Sequence, residues 1–195
     1  MTVVVVNHVT LDGVMQAPAA PDEDTRDGFA HGGWSVPYGD QVMGEFMSKR
    51  MSDGDGAMLF GRWTYQSLRA AWTNRTDDNP FTDVLNKAQK YVASATLTEP
   101  LPWVNSTLLK GDTADAVAEL ASQSDQHLTI LGSATLVQSL MRRDLVDEFI
   151  LMIHPLVLGA GRRLFSDDGA YTSLELTESV PTTTGVIIAT YRRRS

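Results

Sequence analysis

The chain has 195 residues, of which 43% are hydrophobic and 21% charged, with a formal net charge of −8 and no cysteine. That is ordinary globular composition at a length that suits a single domain over 1–195 with a full-sized core. It excludes disulfides, thiol catalysis and thiolate-held metals, and a negative molecule without a concentrated basic patch repels a phosphate backbone, so no nucleic-acid partner is expected.

No apolar run reaches the span of a bilayer helix, so no membrane partner is expected either. The opening "MTVVVVNHV" lacks a cationic lead and the longer apolar stretch of a secretory signal. It reads as a buried first strand of a cytoplasmic protein. Residues 3–9, β-branched and nearly continuous, fit a central strand covered on both faces. The chain then turns at Asp12-Gly13. Residues 17–37 are rich in Pro, Gly and Asp and carry no periodicity. Loops this long inside a compact domain are commonly lids or binding loops, and Phe29 and Trp34 argue for docking or for a lid over a flat substrate.

Residues 39–54 place Val42 and Phe46, with Met43, Met47 and Met51, along one helical side. A short buried strand (56–61), a helix from Arg62 to Trp72, a second helix (79–89) and a strand (90–95) follow. Residues 112–123 form a helix capped by Asp112 or Thr113. A strand (127–132), a helix (133–144) and a long strand (145–159) that opens polar come next. Two final strands span 173–180 and 186–194, and the closing "YRRRS" reads as a solvated tail capping the last of them. Alternating strand and helix with an antiparallel finish predicts an α/β class with a mixed sheet and helices on both faces.

Two junctions share one grammar. "AMLFGRWTYQSL" and "LTILGSATLVQSL" are each a buried strand, a glycine, small or hydroxyl residues, then a helix. Glycine permits a sharp turn and close approach of a ligand. A helix N-terminus presents unpaired N–H groups and partial positive charge, for which phosphate is a natural occupant. Arg62 and Thr64 add a cation and a hydroxyl at the first junction, and Ser133 and Thr135 add hydroxyls at the second. One such junction is often only packing, but two on one sheet suggest a dinucleotide with its pyrophosphate between them. Neither is a G-x-G-x-x-G fingerprint or a Walker loop. "VASATL" (92–97) adds Ser94 and Thr96 at a third strand end, where hydroxyls could hold a ribose phosphate or simply form a turn.

These segments resemble a family. "LFGRWTYQSL" is similar to the Gly-Arg-x-Thr-[Tyr/Trp] segment of dihydrofolate reductases, and "LTILGSATLVQSLM" to their helix-opening glycine pair. "NHVTLDGVMQ" and "LVDEFILMIHPLVLGAGRRLF" resemble segments of a related group, the reductase domain of the bacterial riboflavin-biosynthesis deaminase-reductase and its free-standing relatives. The resemblance implies a three-layer α/β/α fold on an eight- or nine-stranded, mostly parallel sheet with antiparallel C-terminal strands. It implies a homodimer and NADPH across the strand ends. Gly61, Arg62 and Thr64 would contact the adenosine side, with Arg62 near the 2′-phosphate, and Ser94, Ala95 and Thr96 would flank the adenosine phosphate. Leu131, Gly132, Ser133, Ala134, Thr135 and Leu136 would wrap the pyrophosphate. Leu11, Asp12 and Gly13 would sit by the nicotinamide and the substrate. Two departures stand out. The family's second glycine is Ser133 here, and the helix acid of dihydrofolate reductases has no counterpart in register, so folate reduction is not expected. No deaminase zinc motif is present.

The function expected is NADPH-dependent reduction of a small heterocyclic or carbonyl/imine substrate. The alternative is a non-catalytic dinucleotide-binding or regulatory dimer that keeps the fold. Asp12 and Glu45 are the candidate catalytic carboxylates, and Trp34 the candidate substrate platform. Asp12 reads equally as a turn-former and Glu45 as a solvated helix residue. His8 and His154, in apolar strands, read as hydrogen-bonded core residues, and His31 and His127 as exposed. Without cysteine or a cluster of His, Asp and Glu at ligand spacing no metal is expected, and without a Gly-x-Ser-x-Gly elbow no serine hydrolase.

Overall fold

Strand β1, Thr2–Thr10, is the spine around which the chain organises. Its side chains alternate between the two faces of the sheet, and its five valines are divided between them, so both faces must be covered. Val3, Val5 and Val9 enter one core with residues of helices α4 (Thr113–Gln123) and α5 (Ala134–Met141). Val4 and Val6 enter another with Met43, Phe46 and Met47 of helix α1, Gln41–Ser52. The computed structural model describes residues 1–52, 56–73, 75, 79–123, 125–167, 169 and 171–194. The Met51 side chain and residues 53 and 54 of the expected first helix lie outside them.

The remaining strands are β2 (Ala57–Gly61), β3 (Lys90–Ala93), β4 (Ser106–Leu108), β5 (His127–Leu131), β6 (Glu148–His154), β7 (Leu174–Pro181) and β8 (Ile187–Arg193). They form one eight-stranded sheet in the order β4-β3-β2-β5-β1-β6-β8-β7. Every pairing from β4 through β6 is parallel, while β8 runs antiparallel to both β6 and β7. Helices α2 (Arg62–Trp72) and α3 (Pro80–Lys87) share the α1 side, where Tyr65 and Leu85 pack on Met58 and Phe60 of β2. The architecture is therefore three layers, helix over sheet over helix.

Helix starts follow local chemistry. Asp112 accepts the amides of Ala114 and Asp115 at the head of α4, and Asn79 accepts that of Phe81 at the head of α3. Strand β6 is shorter than the expected 145–159. Leu145 still donates its amide to Leu140 in the turn after α5, and Pro155, with no N–H, stops the ladder at the other end. Its polar opening is a buried carboxylate: Glu148 is paired by Arg50 of α1 and by Arg192 of β8 at 2.8 Å. Arg193 lies 3.7 Å from Asp144 and 3.8 Å from Asp147. The basic end of the chain is thus partly tied down by acids, not simply solvated. Strand β4, three residues at a sheet edge, was not expected from its sequence.

Lys90 is fully buried at the start of β3. Its Nζ donates to the carbonyls of Leu85 at 2.6 Å and Ala88 at 2.7 Å, closing the C-terminus of α3, and lies 4.9 Å from the Trp103 ring centroid. Carbonyl dipoles and a ring face offset the loss of water. Burial still lowers its pKa to about 8. Replacing Lys90 with Met leaves those carbonyls unpaired. We expect a loss of about 2–3 kcal/mol in urea unfolding, and an unchanged midpoint would show that the ammonium does not hold the helix end.

Candidate functional site

Strands β2 and β5 are parallel neighbours, with Ala57 opposite Leu128 and Leu59 opposite Ile130. Their C-terminal ends therefore lie side by side, and so do the helices they launch. Gly61 is the N-cap of α2 and Ser133 the N-cap of α5. The Ser133 hydroxyl accepts the Gly61 amide at 3.0 Å and donates to Thr64 Oγ1 at 3.0 Å. The Ser133 amide donates to the same Thr64 oxygen at 3.1 Å. From β1, the Asn7 amide accepts the Gly132 N–H at 2.8 Å and donates to the Gly132 carbonyl at 3.2 Å. The two helix tips are thus stitched together. No side chain caps the first turn of either helix, so both tips keep the unpaired amides and partial positive charge that favour an anion.

The glycines differ in what they require. Gly61 has φ −74°, which any residue adopts. Gly132 has φ +58°, and a Cβ there would meet Thr64 Oγ1 at 3.0 Å. Ser133 also lies in the left-handed region, at φ +61°. That strain costs on the order of 1 kcal/mol, set against the hydrogen bonds its side chain makes.

Both tips open on a cavity of about 780 Å³, within the range of small-molecule and cofactor sites. All the expected cofactor residues line it except Thr96, which sits exposed in a turn where Ser94 Oγ accepts the amides of Thr96 and Leu97. Arg62 is exposed at the rim, and no acid among the described residues pairs with it. The opposite wall comes from Met15–Ala19 and from Glu23, Asp24 and Arg26 of the long loop, with Arg162 beside them. Arg26 reaches across: its guanidinium carbon lies 4.2 Å from the centroid of the Trp63 ring on α2. Burial raises the Glu23 carboxyl above its ordinary range, opposed by the amides of Ala19 and Ala20 that it accepts.

The loop is docked. Phe29 and Trp34 are buried with Val14 and Ala17, and Trp34 Nε1 donates to the Gln16 carbonyl at 2.7 Å. The Trp34 ring stands perpendicular to His154 with centroids 5.1 Å apart and does not line the cavity. Leu11, Asp12 and Gly13 also lie outside the lining. The Asp12 carboxylate accepts the Thr10 hydroxyl at 2.5 Å and the amides of Gly159 and Leu158 at 2.8 and 3.2 Å. The Thr10 hydroxyl first, then those amides, hold its pKa below the ordinary value. Asp12 thereby clamps the "LGAG" segment onto the turn after β1, and Val14 bridges Arg163 beside it. Glu45 is exposed on α1 and accepts the Gln41 side chain at 2.6 Å. Neither carboxylate proposed from sequence faces the cavity, because each is engaged locally.

Residues outside the sequence expectation do face it, notably Asn7, His8, Gln16, Arg26 and Arg162. The position of His8 near the C-terminal end of a central parallel strand was the available signal, since ligands bind there in open α/β sheets. His8 Nδ1 lies 2.8 Å from His154 Nε2. His154 is fully buried, with the rings of Trp34 and Tyr38 nearly perpendicular to it. Burial, and then the neighbouring His154, lowers the His8 pKa to about 3. Burial lowers that of His154 to about 4. Among the described residues no cluster of His, Asp or Glu could hold a metal ion, and no helix is long and apolar enough to cross a membrane.

The model of the RibD C-terminal domain family matches residues 1–188. The chain belongs to that family. The uncharacterized protein YyaP of Bacillus subtilis (strain 168) is 27% identical over 180 residues, covering 86% of this chain and 89% of YyaP. Among solved structures, a protein from Shewanella sp. PV-4 assigned to riboflavin biosynthesis superposes with a TM-score of 0.69 at 21% identity over 100% of both chains. Dihydrofolate reductase from Enterococcus faecalis, complexed with NADP(H) and RAB-propyl, superposes with a TM-score of 0.63 at 11% identity, covering 100% of this chain and 97% of that one. The fold is dihydrofolate-reductase-like, as the sequence resemblance implied.

Two predictions follow from the stitched tips and the histidine pair. Ser133→Ala keeps the left-handed strain and removes both side-chain bonds, so urea unfolding should show a loss of about 1–2 kcal/mol; Ser133→Gly relieves the strain and should lose less. Both histidines are neutral in the fold below their unfolded pKa of about 6.5, so the unfolded chain binds more protons between about pH 6.5 and 4. Their contribution is present above pH 6.5 and is lost as pH falls. Thermal stability should drop from pH 7 to pH 5, with the drop reduced in a His8→Gln/His154→Gln variant; an identical pH profile in the variant would refute the assignment.

Proposed function

We propose that this chain is an NADPH-dependent reductase acting on a small heterocyclic or carbonyl-type substrate. The observation that carries the reading is the pair of stitched helix tips, uncapped by side chains, at one cavity with Arg62 at its rim. The residues fit a dinucleotide. The amides of both tips suit the pyrophosphate. The bare Cα of Gly132 lets that group approach, and the Ser133 side chain is turned aside toward Gly61 and Thr64. Arg62 suits a 2′-phosphate because guanidinium pairs with phosphate in a fork. Ser94 and Ala95 stand beside it on the adenosine side.

When bound, the nicotinamide supplies a hydride, and the protein's task is positioning and water exclusion. Residues 15–19 line the cavity, and the Arg26–Trp63 contact joins the long loop to the first turn of α2. Asp12 serves by fixing that wall through the segment around Gly159. The family resemblance further favours a homodimer.

A second reading, a dinucleotide-binding or regulatory dimer without turnover, is favoured by one observation: Asp12 and Glu45 both lie away from the cavity. Fluorescence titration with NADPH tests the shared part, and a chain that leaves the nicotinamide signal unchanged would sink both readings. Turnover separates them: consumption of NADPH with any pterin, pyrimidine or quinone supports the reductase. Arg62→Ala should weaken NADPH by about 10- to 100-fold, the scale of one charge-assisted contact, and NADH by much less. Equal losses would show that Arg62 does not read the 2′-phosphate.

A further inference from the structure

Beyond Leu131 strand β5 turns into the Gly132–Ser133 corner, so its ladder with β1 ends at Val6. His8, two residues on, has a strand neighbour only on the β6 side, opposite Met152. It lines the cavity on the same face as Val6, with Met47 and Met152 also in the wall. This surface is otherwise apolar. The charged groups that line the cavity are Glu23, Asp24, Arg26, Arg62 and Arg162, and no ion pair or hydrogen bond links any of them to His8.

The proton positions in the histidine pair follow from which nitrogens lack partners. Both rings are neutral at physiological pH, given pKa values of about 3 and about 4. Each therefore carries one N–H and one bare nitrogen. His154 Nδ1 is buried and has no hydrogen-bond partner. Were His8 Nδ1–H the donor at 2.8 Å, His154 would have to keep its own hydrogen on Nδ1, leaving an orphaned buried N–H. Orphaned buried donors are rarer than under-satisfied acceptors. The favoured arrangement has His154 Nε2–H donating to His8 Nδ1, with a bare lone pair on His154 Nδ1. The hydrogen of His8 then sits on Nε2. That nitrogen has no partner among the described residues and, unlike His154 Nδ1, is not among the sealed, unpartnered atoms.

We propose that His8 is the substrate-orienting residue of this cavity, held in one tautomer by His154, and that its Nε2–H donates a hydrogen bond to a carbonyl oxygen or unprotonated ring nitrogen of an uncharged, planar substrate. The word substrate rests on the reductase reading; the tautomer does not. A neutral imidazole N–H polarises an acceptor without giving up its proton, so any proton the product needs comes from water. The selectivity has a sign. An analogue with a C–H or N–H at the acceptor position leaves the His8 hydrogen unpaired in an apolar wall, and a loss of about 10- to 100-fold in affinity follows. A cationic ligand gains nothing from His8. His154 acts only through His8 and is a positioning residue.

Nitrogen-15 spectroscopy of histidine-labelled protein between pH 5 and 8 tests the assignment. Both rings should show protonated Nε2 and bare Nδ1, with neither titrating near 6.5. A His8 ring protonated on Nδ1, or an imidazolium in that window, overturns the proposal. Uracil, 2-pyridone and quinazolin-4-one are then titrated as probes. At least one should shift the His8 Nε2–H, and its affinity should fall at least tenfold in His8→Phe. No shift with any of the three, or undiminished binding by His8→Phe, also overturns it. His154→Phe should leave His8 as a mixture of tautomers, a signature that mere loss of packing would not produce. Absent NADPH binding in the unaltered protein would end the reductase reading and leave the tautomer result standing, so the two failures are distinguishable.

Discussion

A single hydroxyl sets the geometry on which the site depends. Ser133 Oγ takes the amide of Gly61 and gives its hydrogen to Thr64. Two helices from neighbouring strands are therefore fixed at their positive ends, where dipoles of like sign would otherwise push apart. Asn7 completes the arrangement from the central strand by satisfying both polar backbone groups of Gly132. The left-handed backbone at Gly132 and Ser133 is what aims that hydroxyl sideways, clear of the space a ligand would enter. The residue that departs from the family's glycine pair thus acts as a fastener and does not obstruct the cradle.

A second constraint joins distant parts of the chain. Asp12 and Gly159 are separated by most of the sequence, yet the Asp12 carboxylate holds the Leu158 and Gly159 amides, and Arg163 Nε returns a bond to the Asp12 carbonyl at 2.9 Å. Gly161, at φ +115°, has no room for a Cβ against Phe29 and Val14. Two of the segments that carry the family resemblance are consequently two halves of one clasp. The long loop rests on it, with Trp34 and Phe29 as its apolar anchors.

Much of this was legible in the sequence for physical reasons. Short continuous runs of Val and Ile can be little else than buried strands, and the strand–Gly–helix grammar located both tips to within a residue. Roles were harder to read than places. A carboxylate before a glycine looks the same whether it meets a ligand or two backbone amides 146 and 147 positions away in the chain. Histidine in an apolar strand suggested a hydrogen-bonded core residue. That description suits His154, while His8 looks into the cavity where β5 has ended two residues short of it. Such facts belong to strand register, which no local window contains. The edge strand at Ser106–Leu108 escaped for a simpler reason: three residues give no periodicity to detect.

The contact between Arg26 and Trp63 bears on how quickly a long, flexible molecule could settle into place. Parting a guanidinium from an indole at an accessible position takes on the order of 1 kcal/mol, little more than thermal energy. The Arg26 side chain would then lift off the indole a good fraction of the time, while Phe29 and Trp34 keep the loop itself docked. Admission through such a latch is fast and barely selective, so discrimination among visitors is left to the deeper surfaces behind it.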